Sequence, residues 1–322
     1  MRILVLCSAL LSAWGADRAE LLAAMEKAMG PLPAGNREPV QMARHETVQS
    51  INYSRSLITY TTVDNDSVPA YLFIPHSKPS PLPAIVCLHQ TTKLGKGEPA
   101  GLGPKLNLHY AKELAQRGYI TLAPDYPGCG DNRTDPYALG YASATMKGIV
   151  NHKQAVDLLQ SMPEVDPDRI GVIGHSLGGH NALFLTTFEQ RIKAAVTSCG
   201  FTSFAKYYGG RLDGWSHKGY MPRIAELFHK SPLHLPFDFT DVFRAIAPRP
   251  VFINAPLHDS NFEVSGVQDC VRAVMPAFGE GRLIVEYPDD GHDFPVAVRE
   301  RAYEFLDKWL KAPPNPRRVG RP

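Results

Sequence analysis

The chain has 322 residues, of which 44% are hydrophobic and 20% charged. That composition can bury a sizeable core and excludes whole-chain disorder, which needs few apolar residues and high net charge. The 34 basic and 32 acidic residues leave a net charge of +2, so no nucleic-acid partner and no anionic membrane surface is expected.

The first residues, Met1–Trp14, form an apolar run behind the single positive charge of Arg2. The run is shorter than the roughly 20 residues of a membrane span. With small residues at Ala13 and Gly15, residues 1–15 read as a signal peptide cut before Ala16, which predicts a secreted or periplasmic protein. Cys7 would leave with that segment. Cys87, Cys129, Cys199 and Cys270 would remain, and in an oxidising compartment two of them could pair. The strand positions of Cys87 and Cys199 favour buried thiols instead. The mature chain reads as one domain over 16–312, with 313–322 as a disordered tail.

Residues 17–29 place Leu21, Leu22, Met25 and Met29 on one helical face. Strands are predicted at Thr47–Tyr53, Ser56–Val63 and Ala70–Ile74, with Asp64, Asn65 and Asp66 as a turn. Four prolines between Pro75 and Pro83 mark a surface connection. Short apolar runs then alternate with helical patterns. Strands fall at Ala84–Leu88, Tyr119–Ala123, Arg169–Ile173, Ala194–Ser198, Val251–Ala255 and Leu283–Tyr287. Helices fall at Asn107–Arg117, Thr145–Met162, Leu177–Phe188, Val264–Phe278 and Val296–Lys311. Apolar strands alternating with helices predict an α/β fold: a mostly parallel sheet of about eight strands covered on both faces. The stretch Gly200–Pro248 is too long for a plain loop and reads as an inserted lid or pocket wall.

The sharpest chemical signal is Gly174-His175-Ser176-Leu177-Gly178-Gly179, which fits G-x-S-x-G between a strand and a helix. A serine on so tight a turn needs glycines two residues away on either side, and its hydroxyl then stands clear of the sheet. Ser176 is the expected nucleophile. A hydroxyl needs a base, and the base needs an orienting carboxylate, in the chain order Ser, acid, His. His292, after the last strand, is the expected base, with Gly291 letting its loop turn. Asp259, after the strand Val251–Ala255, is the expected acid. Asp238 and Asp241 precede that strand, and Asp290 and Asp293 lie close enough to His292 to shape its loop. His175 and His180 come before any acid and are excluded as the base. Backbone N–H donors for an oxyanion are expected from Leu177 and from Thr91, with Gln90 as the other choice. Trp215, Tyr207 and Tyr220 could stack on a sugar ring or form the insertion's own core. No metal or organic cofactor is called for: the histidines show no HExxH spacing, and Gly95-Lys96-Gly97 lacks a P-loop frame.

These motifs resemble the α/β-hydrolase superfamily over roughly residues 45–312. The Leu88-His89-Gln90-Thr91 loop is similar to its oxyanion loop, with Gln90 where a glycine is usual. Asp125-Tyr126-Pro127-Gly128-Cys129-Gly130 looks like the loop after the family's next strand. The chain is most similar to the dienelactone-hydrolase-like and acetyl-xylan-esterase-like exported hydrolases. Dienelactone hydrolases proper use cysteine where this chain has Ser176, so their reaction is not carried over. Prolyl-oligopeptidase-type peptidases share G-x-S-x-G-G but usually carry a propeller for which this chain has no room. The resemblance implies a serine carboxylesterase acting on a short-acyl ester such as an acetate on plant-wall carbohydrate. A peptidase, or an inactive binding protein on the same scaffold, are the alternatives.

Overall fold

The computed structural model describes residues 18–34, 39–76 and 81–311. The segment read as a signal peptide and the tail from 313 onward lie outside these. Helix α1 covers residues 18–29. Three strands follow: β1 (Met42–Gln49), β2 (Tyr53–Thr61) and β3 (Ser67–Pro75). Then come β4 (Leu82–Leu88), α2 (Tyr110–Gln116), β5 (Ile120–Pro124), α3 (Ala144–Ser161), β6 (Val165–His175), α4 (Leu177–Phe188) and β7 (Ile192–Ser198). The C-terminal part adds α5 (Arg223–Glu226), α6 (Phe239–Ile246), β8 (Val251–Asn254), α7 (Val264–Val274), β9 (Leu283–Glu286) and α8 (Val296–Leu310).

These strands make one nine-stranded sheet in the order β1-β2-β3-β5-β4-β6-β7-β8-β9, one strand more than expected. The pairs β1–β2, β2–β3 and β3–β5 are antiparallel. Every pair from β5–β4 to β8–β9 is parallel. Strand β1 begins at Met42, five residues before the predicted start, and is exposed along most of its length. An edge strand with no buried face carries no apolar alternation to read. Pro83 lies inside β4, where the prolines had predicted only a connection. It stands at a register irregularity between Leu82 and Ala84, where a missing N–H is tolerated.

Successive side chains of a strand point to opposite faces, and the two cores follow from that. Ala84, Val86 and Leu88 enter the core shared with α1, α3, α4, α6 and α7. Ile85 and Cys87 enter the core beneath α2 and α8. The stretch expected as an insertion is built partly from covering structure. Its helix α6 packs Phe239, Val242 and Phe243 fully into the first core. Asp238 caps α6, and its backbone N–H in turn donates to Asp241, so both rival acids are spent on a capping box. The four cysteines among the described residues are free thiols, so the expected option of a disulfide is not taken. No helix among them is long and apolar enough to cross a membrane.

Candidate active site

Parallel strands end on one edge of the sheet, and that edge collects the site. Ser176 follows β6, Asp259 lies in the loop after β8, and His292 lies in the loop after β9. Ser176 has φ 54° and ψ −116°, a conformation that L-residues rarely adopt. Its N–H donates to Ser198 O at 2.9 Å, which ties the turn to β7. The turn closes because its neighbours lack side chains. A Cβ on Gly174 would stand 2.1 Å from Gly178 O, and one on Gly178 would stand 1.9 Å from Leu88 O. Leu177 is the first residue of α4, so its N–H has no partner within the helix.

His292 Nδ1 lies 2.8 Å from Asp259 Oδ1. The same oxygen accepts the N–H groups of Asn261 at 2.8 Å and Phe262 at 3.1 Å. Burial pushes the Asp259 carboxyl up, but the bond to His292, its charge and those two N–H groups outweigh it and hold the group below its usual value. The Asp259 side chain is nearly buried, while that of His292 keeps 19% of its surface. His175, next to the serine, packs its ring 4.9 Å from the His292 ring. Burial, then the nearby His292, press His175 well below the ordinary imidazole value. The chain-order exclusion of His175 and His180 thus has a physical counterpart: both rings are buried, and burial brings His180 down to about 3.

The loop after β4 lies against the serine turn, as the approach of Leu88 O to Gly178 shows. His89 Nδ1 bonds Gln90 O at 2.6 Å, and its Nε2 accepts the Tyr126 N–H at 3.0 Å. In a trans peptide the C=O and the next N–H point in opposite directions. Fixing Gln90 O on His89 therefore turns the Thr91 N–H away from that ring. The Gln90 side chain is buried and directed at Glu98. The Thr91 hydroxyl shares a 3.1 Å hydrogen bond with Tyr220 OH, so the insertion reaches the same loop.

The three aromatics part company here. Trp215 is 2% exposed and packs against His180, Phe204 and Phe239, so it belongs to the core and is no stacking platform. Tyr207 and Tyr220 are half-buried, with rings 5.8 Å from that of Trp215. Tyr220 also borders an apolar cluster of Tyr126, Ala144 and Leu177 beside the serine. On the acid side a cavity of about 270 Å³ is lined by Lys206, Tyr208, Asp259, Asn261 and Glu263 among others.

Sequence reasoning missed a buried polar layer behind these residues. Asn254 Nδ2 donates to Ser198 Oγ at 2.8 Å and to Asp293 O at 2.9 Å. Ser198 Oγ lies 2.9 Å from His175 Nδ1. A polar residue closing the apolar run Val251–Asn254 was the available signal. Cys199 Sγ, an Asp259 oxygen and a His292 nitrogen lie within 4.8 Å of one another, the one set among the described residues spaced to hold a metal ion. The Asp259–His292 hydrogen bond already occupies two of its members.

The description "Alpha/beta hydrolase family" belongs to a family model that matches residues 85–314. The "Putative hydrolase YtaP" of Bacillus subtilis (strain 168) is 27% identical over 312 residues, 91% of this chain and 100% of that protein. A glucuronoyl esterase from Solibacter usitatus superposes with a TM-score of 0.69 at 16% identity, covering 90% of this chain and 91% of that one. Acetyl xylan esterase 1 from Thermoanaerobacterium sp. JW/SL YS485 gives a TM-score of 0.63 at 17% identity, over 91% and 93% of the two chains. With the match spanning well over half of the sequence and the sheet, elbow and loops in the expected order, the chain belongs to the alpha/beta hydrolase family.

Proposed function

We propose that the protein is a serine carboxylesterase, exported by its first 15 residues and acting on a short-acyl ester with a polar alcohol. The observation that carries this reading is the Asp259–His292 hydrogen bond at 2.8 Å, at the sheet edge where Ser176 stands on its strained turn. In this reading Ser176 Oγ attacks the ester carbonyl while His292 takes its proton. Asp259 fixes the imidazole tautomer and stabilises the imidazolium. The Leu177 and Thr91 N–H groups hold the oxyanion. His292 then returns the proton to the leaving alcohol, and water hydrolyses the acyl-enzyme by the same steps.

The apolar cluster of Tyr126, Ala144 and Leu177, with Cys129 and Tyr220 packed against it, gives the serine an apolar neighbour on the side where the acyl group would lie. The cavity beside the acid loop presents Lys206, Asn261 and Glu263, polar partners for a carbohydrate alcohol. The two solved structures that superpose on it are a glucuronoyl esterase and an acetyl xylan esterase, which is consistent with this substrate class.

The test is kinetic and chemical together. The purified protein is expected to hydrolyse p-nitrophenyl acetate far faster than aminoacyl p-nitroanilides and to take up a fluorophosphonate label. Ser176→Ala is expected to lose about 10⁴-fold or more in kcat, and all of the label. Faster cleavage of the anilides would replace the esterase reading with a peptidase. An unlabelled wild-type protein would leave only a binding protein.

A further inference from the structure

Strand register sets three polar residues in one row. His175 ends β6, Ser198 ends β7 and Asn254 ends β8, and the register pairs His175 with Ser198 and Ser198 with Asn254. Register partners on neighbouring strands send their side chains to the same face, so the three meet. Each is no more than 1% exposed. An amide buried this deeply at the end of an apolar strand is costly unless its polar atoms are used. Its oxygen is not used: Asn254 Oδ1 has no hydrogen-bond partner among the described residues. The nitrogen is the half of the side chain that makes contacts.

Asn254 Nδ2 carries two hydrogens and has two oxygens in reach. One is Asp293 O at 2.9 Å, the other Ser198 Oγ at 2.8 Å. A carbonyl only accepts, so the amide nitrogen and not its oxygen faces Asp293. Ser198 Oγ, having accepted from Asn254, has its own hydrogen to give. His175 Nδ1 stands 2.9 Å away, and the other acceptor, Cys199 Sγ, 3.9 Å away. The hydrogen belongs to the nearer nitrogen, since a thiol sulfur is a weak acceptor.

Both ends of this chain of bonds abut the candidate catalytic pair. Asp293 directly follows His292, and its carboxylate is held separately by Asn107 Nδ2 at 2.5 Å. Ser198 O accepts the Ser176 N–H at 2.9 Å. The His175 ring packs 4.9 Å from the His292 ring. We infer that Asn254 is a positioning residue for Ser176 and His292 together. One N–H of its side chain fixes the backbone beside the base. The other fixes Ser198, which anchors the turn of the nucleophile and, through His175, the ring packed against the base. The inference rests on the triad reading above. It accounts for an amide at the end of β8, where a leucine of similar volume would satisfy burial alone. Both N–H groups are spent inside the protein, so their effect falls on the chemical step and not on substrate binding.

Asn254→Leu keeps the volume and removes both donors, and Asn254→Ala replaces it if it does not fold. Ser198→Ala cuts one arm only. Hydrolysis of p-nitrophenyl acetate is measured per active site, counted by fluorophosphonate labelling to completion, so that misfolded protein does not enter the rate. The expected result for Asn254→Leu is a kcat per labelled site at least about 10-fold lower with KM within about twofold, since misplacing reacting groups by an ångström can cost about 100-fold. Ser198→Ala is expected to lose less. The double variant is expected to lose less than the product of the two single losses, because both arms leave one amide. Unchanged kcat per labelled site in the Asn254 variant overturns the inference. So does a loss carried by KM, or a double variant whose losses simply multiply. A fully active Asn254 variant leaves the esterase reading standing, whereas an inactive, unlabelled wild type removes both.

Discussion

At the scale of single residues, the site depends on close approaches that only certain side chains permit. Gly178 is the clearest. A methyl group there would sit 1.9 Å from Leu88 O, a backbone atom that cannot swing aside. Gly178→Ala is therefore expected to push α4 away from the β4 loop, separating the Leu177 and Thr91 N–H groups that the proposed mechanism assigns to the oxyanion. The expected outcome is a fall in kcat of about 100-fold or more, the usual effect of losing one oxyanion donor, read by ester hydrolysis. Tyr220 tests the opposite side of the same loop. Tyr220→Phe keeps the ring and deletes only the hydroxyl 3.1 Å from Thr91 Oγ1. A drop of only a few-fold in kcat with unchanged melting temperature is expected, because the Gln90–His89 bond still orients the peptide. The candidate elbow, and the Asp259–His292 pair that lies 2.8 Å apart, could be singled out in the sequence because strain and chain order leave so few options. Gly174, Gly178 and Gly179 have no side chains for steric reasons, and Asp259 and His292 are the polar residues that follow the right strands. Ser198, Cys199 and Asn254 were not legible as a network. Their contacts join neighbouring strands whose residues lie more than 50 positions apart, and no local spacing encodes that.

At the scale of elements, the insertion shows how aromatics are sorted by packing. Trp215 comes from a short turn rather than a regular helix, yet it is 2% exposed and meets Phe204 edge-on at 5.6 Å between ring centres. It also packs 4.7 Å from His180 on α4. The ring thus pins the insertion to the helix that begins at the candidate nucleophile. Trp215→Ala is expected to destabilise the protein by about 3–5 kcal/mol, through the lost transfer energy and the cavity left behind. Tyr208 is the contrast: it is 47% exposed, and its OH makes a single 3.1 Å bond to Asn261 Oδ1. Tyr208→Ala is expected to change unfolding free energy by no more than about 1 kcal/mol, and any effect should appear in KM for the larger alcohols. Urea unfolding of the two variants side by side checks the contrast. Sequence could place these aromatics in one segment but could not say which faced inward. A tryptophan serves a core and a sugar ring equally well, and only the partners from α4 and α6 decide. The parallel strands were readable for the opposite reason. Burial on both faces leaves continuous apolar runs such as Ile85, Val86 and Cys87, whereas β1, without a buried face, leaves no such trace.

At the scale of the whole molecule, the antiparallel end of the sheet is joined to the rest by buried charge. Lys147 on α3 is fully buried and reaches Asp64 at 2.8 Å and Asp66 at 3.0 Å, both from the β2–β3 turn. Burial alone would raise the Asp64 carboxyl. Bonds from Lys147, Thr62 and Tyr141 outweigh that and hold it at about 2. Glu189, at the end of α4, repeats the pattern: burial pushes it up, but Arg191 and then Lys153 bring it down to about 2. Both groups are more acidic folded than unfolded, where ordinary carboxylates titrate near 4. Their stabilisation is therefore complete above about pH 4.5 and is lost as pH falls toward 2. Urea midpoints are expected to be flat between pH 7 and 5 and to fall steeply between pH 4 and 2. Lys147→Met should separate the two causes. It leaves Asp64 and Asp66 without their buried cation, and breaking such a pair costs about 3–5 kcal/mol at neutral pH. Acid protonates the stranded carboxylates and removes that cost. The gap between Lys147→Met and wild type should then narrow as pH falls from 7 to 3. A gap that stays constant over that range would mean that Lys147 contributes through packing of its methylene chain and not through its charge.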